Sequence, residues 1–238
     1  MLSYILVDCG NHYQSIDPKP VHTGMIEIKD YVGPNKVVNF FFSVPKTYNP
    51  AQRWPFIVVL HGKDSNAADF LDVWRPVADS LGFVLLAPQG EELAQWELSY
   101  NWGKNAERSI LKCMDVIKKH VNIDSQRVYL VGSSTGGELT YKIGFEYPKI
   151  FRGLASFGPS LKGEYIPTAT KSISRLRLFI GVGKLEDEDW SETSFSVNIL
   201  KKAGLNITYK EYENLEANLP NLKKEQLEQV LMFLDERI

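Results

Sequence analysis

Five nearly continuous apolar runs constrain this chain most: WPFIVVLHG (54–62), FVLLAPQG (83–90), RVYLVG (127–132), GLASFGP (153–159) and LRLFIGVG (176–183). A strand apolar at successive positions must be covered on both faces, which is the situation of a parallel sheet packed between helices. The intervening segments carry helical period. Asn66 is placed to cap a helix with Phe70, Leu71, Trp74, Val77 and Leu81 on one face, closed by Gly82. Residues 106–121 put Ile110, Leu111, Met114, Ile117 and Val121 on one stripe, and a further helix is expected near 191–203, stopping at Gly204. NITYKEYE (206–213) reads as a last strand, followed by a stripe of Leu227, Val230, Leu231, Leu234 and Ile238. Strands alternating with helices imply βαβ units and a mostly parallel sheet.

Residues 24–45 read differently. They alternate apolar and polar on both sides of Gly33-Pro34-Asn35, the signature of an antiparallel hairpin. The expected fold class is therefore α/β, with a mostly parallel central sheet entered by an antiparallel N-terminal hairpin. No linker divides the chain, so one domain over 1–238 is expected, with 160–175 as a polar excursion suited to a lid or edge loop.

A net charge of −2 without a basic run offers nothing to nucleic acid or anionic lipid. Cys9 and Cys113 are too few for a disulfide framework and read as reduced packing residues. The start, MLSYILVDCG, is too short for a signal peptide and carries Asp8 where one would stay apolar. No run reaches the roughly 18 apolar residues of a membrane span. The expectation is a soluble, cytoplasmic protein, or a secreted one if a signal peptide has been removed; oligomeric state is left open.

Between the third buried run and a helix lies Gly132-Ser133-Ser134-Thr135-Gly136, a G-x-S-x-G pattern. A sharp strand-to-helix turn brings backbone against backbone, and glycines at its flanks remove the side chains that would clash. Ser134 then projects above the sheet at a helix N-terminus, where the dipole favours a developing oxyanion. The matching oxyanion donors are expected from the backbone N–H of Thr135 and of Lys63 (or Gly62), in the loop after the first buried run. His61 ends that run. As a ring at the end of a buried strand it reads as structural rather than as a general base.

LHGKDSNAADF, the segment from Asn101-Trp102 through Pro159, and the order of strands resemble the α/β-hydrolase superfamily. Within it the chain is similar to esterases grouped with polyhydroxybutyrate depolymerases, feruloyl esterases and phospholipase/carboxylesterases, over roughly 35–238 and most strongly over 54–160. The resemblance implies a three-layer α/β-hydrolase fold and hydrolysis of esters or thioesters without a cofactor, through an acyl-enzyme, using Ser, Asp or Glu, and His in that chain order. The acid should follow LRLFIGVG. Family spacing lands on Glu186 and residue type favours Asp187, the narrow choice, with Asp189 behind; a merely solvated acidic run competes for most of these positions.

The base should follow the last strand in a pattern resembling Y-x-G-x-G-H-x-x-P. Here the residues are Tyr212-Glu213-Asn214-Leu215-Glu216-Ala217-Asn218-Leu219-Pro220, and Ala217 stands where the histidine should be. The four histidines are His12, His22, His61 and His120, none beyond the acid. Losing one member of such a triad costs on the order of 10⁴ to 10⁶ in kcat. Two histories fit: natural drift, favoured by the missing glycines at 214 and 216, or deliberate replacement, favoured by the survival of Tyr212, Leu219 and Pro220. Two functions follow. One is a carboxylic-ester hydrolase that is inactive or severely impaired as written; the other is a non-catalytic protein using the same pocket to bind. Either way the expected partner is a small-molecule ester or acyl ligand. Trp96, Tyr100 and Trp102, with Trp190 after the acid candidates, offer flat apolar surfaces for such a ligand, or else pin their loops to the body.

Overall fold

The computed structural model describes residues 3–7, 23–29, 37–93, 100–158, 161–168, 170–183, 187–212 and 222–237. In chain order the elements are β1 (Ser3–Val7), β2 (Thr23–Lys29), β3 (Val37–Ser43), β4 (Trp54–Leu60), α1 (Ala67–Leu81), β5 (Val84–Pro88), β6 (Glu92–Leu93), β7 (Tyr100–Asn101), α2 (Ala106–Ile117), β8 (Ile123–Ser133), α3 (Thr135–Glu146), β9 (Gly153–Phe157), β10 (Arg177–Gly183), α4 (Asp187–Lys202), β11 (Asn206–Tyr212) and α5 (Lys224–Leu234). Among the described residues nine strands form one sheet in the order β1-β2-β3-β5-β4-β8-β9-β10-β11, and β6 and β7 pair as a separate ribbon. In the main sheet β3 alone runs against its neighbours: it is antiparallel to both β2 and β5, and every other adjacent pair is parallel.

The apolar runs are strands because they are covered twice. Alternate residues of the same strand enter different cores. Phe56, Val58 and Leu60 of β4 face one, together with Ile110, Met114, Tyr141, Ile143 and Leu200 of α2, α3 and α4. Ile57 and Val59 face the other, with Phe70, Leu71 and Trp74 of α1 and Leu227, Val230 and Leu231 of α5. The result is three layers. The Asn66 side chain accepts from the Asp69 N–H, and Gly82 at φ 74° closes α1 in the left-handed region, the two caps its sequence announces.

Three boundaries differ from expectation. The helix expected near 191 begins at Asp187, because acidic residues suit a helix's first turn, where the dipole is positive. The helix expected over 106–121 ends at Ile117, and residues 118–121 form turns closed by bonds to Met114, Val116 and Ile117 carbonyls. The stripe expected to run to Ile238 ends its helix at Leu234. The excursion at 160–175 contains two 3₁₀ turns, Gly163–Tyr165 and Thr170–Ile173. Among the described residues no helix is long and apolar enough to cross a membrane.

After β4 the chain passes through α1 to β5 on one side, then through α2 to β8 on the other side of β4. Such a reversal leaves a crevice at the carboxyl ends of the strands where the order turns, here β4 and β8. That is where His61-Gly62 and Ser134 emerge.

Candidate active site

β4 and β8 are register partners up to Leu60 and Gly132, so the residues that follow each strand start side by side. Ser134 has φ 51° and ψ −125°, and it and Asp64 (φ 56°) are the non-glycine residues with positive φ among those described. Both flank this crevice. Positive φ costs a residue with a Cβ about 1 kcal/mol or more, so surrounding bonds must hold it. At Ser134 the backbone N–H donates to the Phe157 carbonyl of β9 at 2.9 Å, and its carbonyl accepts from the Glu138 N–H at 3.0 Å. The turn is thereby locked to the neighbouring strand on one side and to α3 on the other.

The glycines are required by contact. A Cβ at Gly132 would fall on the Gly136 carbonyl, and one at Gly136 on the Leu60 and His61 carbonyls, well inside contact distance in each case. The first turn of α3 therefore sits directly on the end of β4. This seating brings Ser134 and Thr135 beside the loop that carries Gly62 and Lys63. Gly62 is buried, Lys63 is exposed, and Ser134 and Thr135 are half-buried.

His61 is fully buried and its ring is committed. Nδ1 lies 2.8 Å from the Gly62 carbonyl, and Nε2 accepts from the Gly90 N–H at 3.0 Å with Gln89 Nε2 at 3.3 Å. Because a carbonyl only accepts and an amide N–H only donates, the proton resides on Nδ1. Burial pushes its pKa down to about 4, against a smaller opposing effect of the Gly62 carbonyl. Both nitrogens being bonded to the backbone, the ring is structural, as its position at a strand end suggests.

Trp102 donates from Nε1 to the His61 carbonyl at 2.9 Å and stacks on the imidazole with 4.7 Å between centroids. It pins the loop after β7 to the end of β4. Beside it, Asn101 Oδ1 accepts from the Asp64 N–H at 3.2 Å. Sequence reasoning did not single out Asn101. The pair is 37 residues apart, and the only local signal was an Asp in a Gly-Lys-Asp loop, a residue type that tolerates left-handed backbone.

Gly183, at the end of β10, is the register partner of Tyr212, at the end of β11. The segments carrying the acid candidates and the expected histidine position thus leave adjacent strands on the same edge as Ser134. Glu186 and Ala217 lie outside the described residues, as does Trp96; Asp187, Asp189 and Trp190 fall in α4, their side chains outside the description. Among the described residues no group of three His, Cys, Asp or Glu side chains could hold a metal ion.

Residues 42–177, more than half of the 238, match the family described as esterase PHB depolymerase. The chain belongs to that family. A bifunctional acetylxylan esterase/xylanase of Neocallimastix patriciarum is 34% identical over 114 residues, 47% of this chain and 16% of that protein. Poly(3-hydroxyalkanoate) depolymerase C of Paucimonas lemoignei is 29% identical over 110 residues, 42% of this chain and 27% of that one. The chain thus spans less than a third of either relative's length. A solved ferulic acid esterase superposes with a TM-score of 0.69 at 14% identity, covering 91% of this chain and 98% of that one. At that identity the likeness speaks for the fold alone, and the fold is the three-layer α/β-hydrolase fold expected from the sequence.

Proposed function

We propose that this family member is built as a serine hydrolase of carboxylic esters or thioesters and is severely impaired as written. In this reading Ser134 attacks the acyl carbon, the Thr135 and Lys63 (or Gly62) N–H groups stabilise the oxyanion, and Asp187 or Glu186 supplies the acid. The observation that carries it is the Ser134 backbone, held at positive φ between β8 and α3 and seated on the end of β4. Membership in the esterase PHB depolymerase family supports the ester chemistry.

The impairment rests on the position of the base. In the expected order the histidine follows the last strand, here the stretch between Tyr212 of β11 and Lys224 of α5, and that stretch contains no histidine. The bonds of His61 to the Gly62 carbonyl and the Gly90 N–H speak against that ring as the base. Those two observations also support the second reading, a protein that binds an acyl or ester ligand without turning it over.

The test is hydrolysis of p-nitrophenyl acetate and butyrate by three chains: the unmodified one, Ala217→His, and Ala217→His with Ser134→Ala. Little turnover is expected from the first, a gain from the second and loss of that gain in the third. Robust Ser134-dependent turnover by the unmodified chain would show that another base operates. No gain on introducing the histidine would favour the binding protein.

A further inference from the structure

At the opposite end of the sheet from Ser134, the starts of β8, β9 and β10 meet the C-terminal end of α5 around a cavity of about 370 Å³. Tyr129, on its wall, is five residues before Ser134 on an extended strand, which separates the two places by about 16 Å. Four arginines line the cavity: Arg152, Arg175, Arg177 and Arg237.

Their partners divide them into two kinds. Arg237 reaches Asp124 at 3.5 Å and Asp235 at 3.9 Å, and Arg177 pairs with Glu236 while donating from Nε to the Phe233 carbonyl. Behind them the buried Asp235 takes Arg127 in a two-pronged pair. Arg152 and Arg175 are different. Arg152 donates to the Arg175 carbonyl at 2.8 Å, and Arg175 donates to the Pro148 and Lys149 carbonyls at 3.2 and 2.8 Å. Those bonds orient the guanidinium planes and leave their charges uncancelled. Among the described residues neither has a carboxylate ion-pair partner. Among the described residues in and behind the cavity wall, the five guanidiniums of Arg127, Arg152, Arg175, Arg177 and Arg237 stand against the three carboxylates of Asp124, Asp235 and Glu236, an excess of two positive charges on a chain whose net charge is −2. Burial and then the charge of Arg152 hold the Arg177 guanidinium below its ordinary pKa.

We propose that this cavity binds a small, doubly charged oxyanion, a phosphate monoester or a dicarboxylate, with Arg152 and Arg175 as its principal contacts. Guanidinium forks match such anions bidentately, and a space of this size lies in the range of small-ligand sites. The fixed backbone bonds of both arginines pre-orient them, so less side-chain entropy is lost on binding. The apolar part of the wall, Phe151 and Leu234, suits the carbon portion of an organic anion rather than a bare ion.

Isothermal titration calorimetry on the whole chain, at matched ionic strength, tests this with inorganic phosphate, glycerol 2-phosphate, succinate and chloride. Saturable binding of a dianion is expected, and none of chloride. Tighter binding of the phosphates identifies a tetrahedral ligand, and tighter binding of succinate a dicarboxylate. Arg152→Gln and Arg175→Gln should each weaken binding by about 10- to 100-fold, and Arg152→Lys, which keeps the charge and loses the fork, by about tenfold. Phenylglyoxal modification of Arg152 and Arg175, read by mass spectrometry, should be slowed by the bound dianion in the unmodified chain. That measurement decides the matter if a variant fails to fold. Absence of saturable binding, unchanged affinity in the variants, or binding without protection of either arginine overturns the proposal. None of these readouts depends on activity at Ser134.

Discussion

Trp102 holds the end of β4 twice: its N–H takes the His61 carbonyl at 2.9 Å while its ring covers the His61 imidazole. The same carbonyl is one that a Cβ at Gly136 would strike. Three segments far apart in sequence, 60–62, 100–102 and 132–136, therefore share one point of contact. The strained turn at Ser134 is stable because this contact and the Phe157 carbonyl constrain it from two sides.

The commitment of the His61 ring makes stability depend on pH. The unfolded chain takes up a proton near pH 6.5, while burial holds the folded ring's pKa at about 4. Between those values the unfolded state binds more protons, so His61 stabilises the fold above about pH 6.5 and that contribution is lost as pH falls toward 4. The change is on the order of 3 kcal/mol over the window. Urea unfolding at pH 4.5, 5.5 and 7 should show it, and His61→Asn should flatten the dependence. An unchanged slope in the variant would place the effect elsewhere.

Gly136→Ala should destabilise the fold by about 1–3 kcal/mol, because the added methyl meets backbone carbonyls that cannot rotate away. Gly163→Ala, whose Cβ meets nothing within 4 Å, should stay within about 0.5 kcal/mol of the unmodified chain. Thermal unfolding of the two variants side by side measures the contrast. Equal midpoints would mean the elbow can relax away from β4.

The strands and the elbow were legible for the same reason. Near-continuous apolar runs in β4, β5, the second half of β8 and β10 after Arg177 call for a doubly covered sheet, and glycine at 132 and 136 permits the close backbone crossing found there. Less legible was the start of α4, where Asp187 and Asp189 look like a solvated loop until the helix dipole is considered. The pairing of β1 beside β2 was not anticipated, since nothing in a five-residue strand names its neighbour. Asn101 was invisible because its partner Asp64 comes from another loop, and no spacing rule links two loops.

That contact has its own test. Asn101→Ala removes the acceptor that holds the Asp64 N–H at positive φ. Loss of a bond worth about 1 kcal/mol should raise the exchange rate of the Asp64 amide about fivefold while global stability changes by less than about 0.5 kcal/mol. Amide exchange followed by NMR reads both. An unaltered Asp64 rate would mean that the loop after β4 holds its conformation by itself.

The pH profile of Ala217→His separates the proposed base from His61. A general base works when unprotonated, so kcat/KM falls on the acid side through the pKa of the group in the free enzyme. An imidazole introduced at 217 starts from an ordinary value near 6.5, and its partner acid can only raise it. The acid limb for p-nitrophenyl butyrate should therefore lie at about pH 6.5 or above. His61, with a pKa of about 4, would place the limb more than two units lower. If the unmodified chain shows residual Ser134-dependent turnover, its profile should be flat between pH 5 and about 8, because no imidazole titrates in its mechanism there. A limb near pH 4 in either chain would make His61 the base after all, and it would require the ring to give up the Gly90 bond at 3.0 Å that now occupies Nε2.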